Sequence, residues 1–308
     1  MIHTSNTMSQ IPSSYRYLVR DTLREIRTKL GLRRPPTPSA PIAEPLAPPA
    51  PPSPPEIPVT YSRDVGFWDS LRKGWFNNEK QELFQGFAIA STDTVLDVGC
   101  GPGVFLKFCA QYANHSIGVD ISESCVKAAE KTLQAAGIKS FQVIASDGNP
   151  LPLASEIADK IVCTEVFEHV DDPQAAMREL VRVGKPGATY LLSVPGQLSE
   201  QILKELAPAS CFEKPNHIRI FSTEDFRELV EQAGLQVQTH EFVGFYWAVW
   251  HALIWKCGAD YDTGTHPVLE QWGRTWETLM GLPGGDACIA ALDRALHKSQ
   301  VIIARKPD

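Results

Sequence analysis

The stretch Val95-Leu96-Asp97-Val98-Gly99-Cys100-Gly101-Pro102-Gly103 sets an acid and then a glycine at every second position, directly before the helical pattern Val104-Phe105-Leu106-Lys107-Phe108. A β-branched run, a glycine-rich turn and an apolar helical repeat read as strand, tight loop and helix start. Glycines let a backbone approach a bound molecule with no Cβ in the way, and the free N–H groups at a helix start point towards it. Such a loop holds a ligand, and the spacing restricts which one. A dinucleotide fingerprint would need glycine at 104 or 106, which are Val104 and Leu106, and no Gly-Lys-Ser/Thr triplet follows as a nucleoside-triphosphate loop requires.

The elements that must position this loop recur along the chain. Ser116 to Asp120 reads as a second strand ending in an acid, followed by Ile121 and by Ser122, which caps a helix stopped by Gly137. A third strand, Phe141 to Ala145, runs out near Asp147 and Gly148. Lys160 to Cys163 is a fourth, Gln174 to Val183 a helix and Thr189 to Val194 a fifth strand. A helix over 226–233, a strand from Leu235 to Phe242 and a last strand from Gln300 to Arg305 close the chain. This alternation predicts an α/β fold with a doubly wound, mostly parallel seven-stranded sheet that binds ligands at the carboxyl ends of its strands. Residues 243–298 are too long for a hairpin link and hold the eight aromatic residues Phe245, Tyr246, Trp247, Trp250, Trp255, Tyr261, Trp272 and Trp276, so an inserted helical subdomain is expected there. Residues 64–90 read as helical, with Phe67, Trp68, Leu71, Trp75 and Phe76 on an aromatic face continued by Leu83, Phe84, Phe87 and Ile89.

Asp97-x-Gly99-x-Gly101-x-Gly103 resembles the first motif of class I S-adenosylmethionine-dependent methyltransferases, and the resemblance covers residues 61–234 and the closing strand. It implies that Asp97, Gly99, Cys100, Gly101 and Gly103 cradle the methionine part of S-adenosylmethionine, that Asp120 with Ile121 takes the ribose end, and that Asp147 with Gly148 meets the adenine. A carboxylate suits two neighbouring hydroxyls because it accepts from both at once. Thr164-Glu165-Val166-Phe167-Glu168-His169-Val170-Asp171-Asp172-Pro173 resembles the segment after the fourth strand in small-molecule members, including the ubiquinone-biosynthesis O-methyltransferases, which adds Glu165 to the cofactor set.

Methyl transfer from a sulfonium needs an aligned nucleophile and, for a hydroxyl acceptor, a destination for the proton. His169 is the candidate base, since imidazole titrates near neutral pH; a histidine that merely orders the loop is the alternative. Glu165, Glu168 and His169 are considered as Mg²⁺ ligands, but one short cluster is a thin donor set and no metal is assigned. His217, Arg219 and, in the aromatic insertion, Trp250 are the candidate substrate contacts. The insertion can equally be a pocket lid, a buried core or dimer contact, or a membrane contact. The expected activity is methyl transfer to a small or lipid-linked acceptor, through a hydroxyl oxygen of sugar, quinone or natural-product type. Carbon or nitrogen methylation, or a non-catalytic cofactor-binding module tethered to a membrane or partner, are the alternatives.

The net charge of −7 disfavours nucleic-acid partners, whose binding rests on phosphate neutralisation. Residues 1–58 carry seven Lys or Arg against four Asp or Glu, so the remainder is the more acidic part. Residues 15–34 set Val19, Leu23, Ile26 and Leu30 on one helical face beside a stripe of arginines, a pattern suited to peripheral contact with an anionic membrane. The stretch 35–58 holds twelve of the 24 prolines and reads as a linker, leaving 59–308 for the methyltransferase unit. Seven cysteines without a Cys-x-x-Cys pair suggest reduced thiols and a cytoplasmic setting, peripheral to the inner face of a membrane if the basic helix docks there. Nothing in the sequence sets the oligomeric state.

Overall fold

Leu96, Ile161, Leu192 and Ile302 alternate along their strands with Val95, Val162, Leu191 and Val301, and this period of two buries one set on each face of a central sheet. The computed structural model describes residues 61–261 and 263–308; the basic segment 1–34 and the linker 35–58 lie outside the described residues. In chain order the elements are α1 (Tyr61–Arg72), β1 (Glu82–Phe84), β2 (Phe87–Ala88), β3 (Thr94–Val98), α2 (Val104–Ala110), β4 (His115–Asp120), α3 (Glu123–Ala135), β5 (Phe141–Ala145), β6 (Ala158–Thr164), α4 (Pro173–Val183), β7 (Gly184–Pro195), α5 (Gln197–Leu206), α6 (Thr223–Gln232), β8 (Gln236–Val243), α7 (Phe245–Cys257), α8 (Pro267–Gly281), α9 (Gly285–Ala295) and β9 (Ser299–Arg305).

The large sheet has the order β5-β4-β3-β6-β7-β9-β8, with β9 antiparallel to both neighbours and the other pairings parallel. This is the doubly wound, mostly parallel seven-stranded sheet expected from the sequence. The chain builds outward from β3 through β4 to β5 and then returns to place β6 on the other side of β3. That reversal opens a crevice at the carboxyl ends of β3 and β6, where ligands bind in such folds. Caps fix the helices that follow: Ser122 Oγ accepts from the Cys125 N–H, Asp172 from Ala175 and Ser222 from Asp225. Helices α4 and α6 cover one face through Met177, Leu180, Phe226 and Leu229.

The helix expected over 64–90 stops at Arg72, and the apolar run after it is a β-hairpin. Gly74 turns the chain at φ +90, where a Cβ would meet Gln85 Cβ at 2.8 Å, and Gly86 turns the hairpin at φ +86. Leu83, Phe84 and Phe87 are wholly buried against the second sheet face, beside Phe108 and Val162. A short apolar run reads alike as helix or strand, and the flanking glycines are the signal that separates them.

Between β8 and β9 lie α7, α8 and α9, the helical aromatic insertion. With Val65 of α1 they enclose a core of Tyr246, Trp250, Ile254, Leu269 and Trp276. Gly66 lets α1 meet α7, since a Cβ there would fall 2.4 Å from the Trp247 ring.

Candidate active site

The glycine loop is pinned from beneath and from the side. The N–H groups of Gly99 and Cys100 both donate to Val119 O, at 2.8 and 3.1 Å, and Gly103 N–H closes the turn onto Cys100 O at 2.9 Å. Gly99 sits at φ +74 with Val166 so close that a Cβ would lie 2.3 Å from it, and Gly103 sits at φ +82 against Ala129 of α3. Gly101 differs: at φ +51 it has nothing within 4 Å of where a Cβ would be. The loop is therefore packed on two glycines and open on the third. Cys100 is buried, and burial with the nearby Asp97 holds its thiol well above its ordinary range, so it is filler rather than a nucleophile.

Asp120 stitches the loop to the end of β4. Its Oδ2 accepts from Gly101 N–H and its Oδ1 from Ser122 N–H, each at 2.8 Å. A carboxylate offers about four lone-pair directions, so each oxygen keeps one for a ligand hydroxyl. Ile121 beside it is 76% exposed, an apolar surface fit to lie against a flat ring. Asp147 is exposed after β5, with Oδ1 accepting from Asn149 N–H at 3.1 Å, and Gly148 at φ +75 turns that loop.

Asp97 is 2% exposed, and its Oδ2 has no hydrogen-bond partner among the described residues. Burial, reinforced by Asp120, pushes this carboxyl up to about 7. An unpartnered carboxylate oxygen inside a fold is costly, and a cationic group in the crevice would satisfy it. Open space at Gly101, a waiting acid at Asp97, a doubly held carboxylate at Asp120 and a bare Ile121 together fit the ammonium, ribose and base of S-adenosylmethionine.

At the end of β6, Glu165 turns the chain at φ +55, a left-handed conformation that bulky residues rarely adopt. Two bonds hold it there, from Ser193 Oγ at 2.9 Å and from Lys298 Nζ at 2.6 Å. Burial would raise the Glu165 carboxyl, but the Lys298 ammonium holds it below its ordinary value, and Glu165 in turn keeps Lys298 charged against its own burial. Both line a cavity of about 160 Å³ walled by Trp75, Phe105 and Trp247 and lined also by Asp69 of α1 and by Lys73 just past its end. Asp69, Lys73 and Lys298 were not singled out by the sequence, and Trp247 was named only among the aromatics of the insertion, because only the fold of the insertion and of α1 brings them to the strand ends.

His169 is elsewhere. Its Nδ1 lies 3.2 Å from Pro215 O, which fixes Nδ1 as donor, and its ring meets His217 edge-on at 4.8 Å between centroids. Burial and His217 lower its pKa, so the ring is neutral at pH 7. It is not among the residues lining the cavity. His217 Nδ1 is 2.6 Å from Oε2 of the buried Glu200, which makes it part of the same cluster rather than a contact in the cavity. Glu168, His169 and His217 bring one ligand atom each within 4.8 Å of one another, a set that could hold a divalent ion. Glu165, considered for such a set from the sequence, is turned away to Lys298. Among the described residues neither buried Glu168 carboxylate oxygen has a hydrogen-bond partner, Oε1 lying 3.8 Å from His169 Nε2, and burial followed by Glu165 raises its pKa, so a proton or a cation completes it.

Two of the other substrate candidates are displaced. Trp250 is 1% exposed in the insertion core, its Nε1 donating to Ser62 Oγ at 3.2 Å; the tryptophan that reaches the cavity is Trp247, one turn earlier on the same helix. Arg219 donates to Asp171 O at 3.1 Å and borders a separate polar hollow with Gln174 and Asp225. Among the described residues no helix is long and apolar enough to cross a membrane.

The model of the methyltransferase domain family matches residues 67–240. The chain is similar to the ubiquinone biosynthesis O-methyltransferase of Thiobacillus denitrificans, 29% identical over 163 residues that cover 49% of this chain and 66% of that protein. The corresponding enzyme of Chromobacterium violaceum is 28% identical over 167 residues, covering 49% and 68%. Other curated relatives are matched over only about half of their length. Among solved structures, geranyl diphosphate methyltransferase in complex with S-adenosylmethionine superposes with a TM-score of 0.50 at 15% identity, over 71% of this chain and 79% of that one. The cyclase SpnF gives 0.50 at 18% identity, over 80% and 94%. At such identities the likeness is one of fold, and a cyclase among the neighbours shows that this fold serves more than one chemistry. With the family match spanning more than half of its length and the glycine loop built as that family requires, the chain belongs to the S-adenosylmethionine-dependent methyltransferase family.

Proposed function

We propose that this protein transfers a methyl group from S-adenosylmethionine to a hydroxyl oxygen of a small or lipid-linked acceptor. The observation that carries this is the position of the cavity: Phe105, two residues past the glycine loop, and Thr164 with Glu165, at the end of β6, are shared walls of the crevice and the cavity. When bound, the cofactor supplies an electrophilic methyl on a sulfonium whose leaving group is a neutral thioether. Asp97 receives its cationic end, Asp120 its hydroxyls, and Ile121 with Asp147 its ring. Trp75, Phe105 and Trp247 exclude water from the acceptor's side, which leaves the nucleophile aligned and poorly solvated. The relatives named for ubiquinone biosynthesis support oxygen as the acceptor atom.

Calorimetric titration of S-adenosylmethionine into the wild type and Asp120→Ala tests this. Micromolar binding that weakens at least tenfold in the variant is expected. Equal affinity in both, or no binding by folded wild type, would overturn it.

A further inference from the structure

Asp69 is 1% exposed on α1, and its two oxygens have different surroundings. Oδ1 accepts a 2.9 Å bond from Trp276 Nε1, whereas Oδ2 is enclosed with no hydrogen-bond partner among the described residues. The residue lines the cavity that begins just past the glycine loop. A donor belongs against that oxygen, because a buried acceptor left unmade is costly. The cavity is about 160 Å³ with aromatic walls; an apolar cavity of about 150 Å³ accepts one benzene ring. It therefore takes one six-membered ring and leaves the rest of a longer acceptor outside.

We propose that Asp69, by turning its enclosed Oδ2 out into the cavity that the residue lines, binds the hydroxyl of a ring-sized acceptor head there and receives its proton during methyl transfer. The proposal rests on the methyltransferase reading above. The acceptor oxygen bonds to the methyl carbon as the sulfur–carbon bond breaks, the sulfur keeps that bond's electron pair, and the hydroxyl proton passes to Oδ2. The base thus comes from α1, and not from the loop after β6 that holds His169.

The groups around Asp69 leave it suited to this role. Burial, then Asp293 of α9, raise its pKa to about 6, while the Trp276 bond, Lys73 just past α1 and Arg72 of α1 pull it down. Tyr246 of α7 also feels its charge, Trp276 of α8 is uncharged, and Glu165 with Lys298 line the same cavity. Lys73 is held 2.5 Å from Asp293, so its charge is shared and Asp69 keeps an unpaired oxygen. At neutral pH the carboxylate is ionised and close enough to the working pH to take a proton and return it.

The test uses the full chain saturated with S-adenosylhomocysteine and three ring-sized probes, phenol, cyclohexanol and toluene. Asp69→Asn keeps an oxygen for Trp276, so the fold is preserved, and its toluene affinity is expected within twofold of wild type. At pH 8 at least one of the two alcohols should bind wild type about tenfold more tightly than toluene, weakening about tenfold by pH 5 as Asp69 protonates. In Asp69→Asn that pH dependence should vanish, and in a separate assay with methyl-labelled S-adenosylmethionine replacing S-adenosylhomocysteine, methyl transfer to the alcohol should slow at least about 100-fold. Alcohols that bind no better than toluene, an unchanged pH dependence in the variant, or equal transfer rates in the two proteins overturn the proposal. Failure of wild type to bind S-adenosylhomocysteine would instead strike the methyltransferase reading itself.

Discussion

Asp97 makes cofactor affinity depend on pH in a way that can be worked out in advance. In the free protein burial holds its carboxyl at about 7. If the ligand's ammonium meets the unpartnered Oδ2, the carboxylate must be ionised in the complex, so binding displaces a proton wherever the free protein still holds one. At pH 5, two units below that value, ionisation costs about 2.7 kcal/mol, and affinity should be about 100-fold weaker than on the plateau above pH 8. Calorimetry in two buffers of different ionisation heat should find close to one proton released per S-adenosylhomocysteine bound at pH 6. The same group shapes stability. A raised carboxyl binds more protons folded than unfolded, so its penalty is absent below about pH 4, grows towards pH 7 and is fully present above it, at up to about 4 kcal/mol. Ligand therefore raises Tm more at pH 8 than at pH 5. Asp97→Asn should bind with pH-independent affinity and weaken binding at pH 8 by about 10- to 100-fold, the worth of a charge-assisted bond. Wild-type affinity constant within twofold from pH 5 to 8, without proton release, would refute this reasoning.

Gly101, on the open side of the loop, and Gly103, on its packed side, should separate binding from stability. Gly101→Ala meets only left-handed strain, about 1 kcal/mol by chemical denaturation, yet should lose at least tenfold in cofactor affinity because its methyl enters the open crevice. Gly103→Ala, with Ala129 Cα 3.0 Å from the added carbon, should instead lower Tm more than Gly101→Ala does. Lys298→Met leaves Glu165 with an unpaired charge and should cost about 2 kcal/mol, the figure for buried pairs discounted for partial exposure; adding Glu165→Gln should recover most of it in a double-mutant cycle. Glu168→Gln should cost less stability at pH 7 than Lys298→Met, because burial and Glu165 already disfavour the charged form of that acid.

Much of this architecture was legible in the chain. Apolar runs ending at Asp97, Asp120 and near Asp147 mark strands whose carboxyl ends converge, and the glycine spacing alone rejects dinucleotide and triphosphate loops. What the sequence hid was hidden for physical reasons. The run 83–89 has too few residues for its period to decide between helix and strand, so the hairpin depends on Gly74 and Gly86. Trp247 and Trp250 both sit on a helix apolar on every side apart from His251 and Lys256, which carries little directional signal; packing on Gly66 sends Trp247 to the cavity and Trp250 to the core. Asp69 and Lys298 are 229 positions apart and meet one cavity only after the insertion folds over α1. His169 and His217 were each noticed, but their pairing depends on the loop after β7 returning to β6.

The most direct measurement is a crystal structure of the protein with S-adenosylhomocysteine. The account predicts the ligand's ammonium against Asp97, its ribose on Asp120, its adenine beside Ile121 and Asp147, and its sulfur facing the cavity of Trp75 and Trp247. A ligand bound away from the glycine loop, or one whose sulfur faces the His169–His217 cluster with the cavity on its far side, would contradict it.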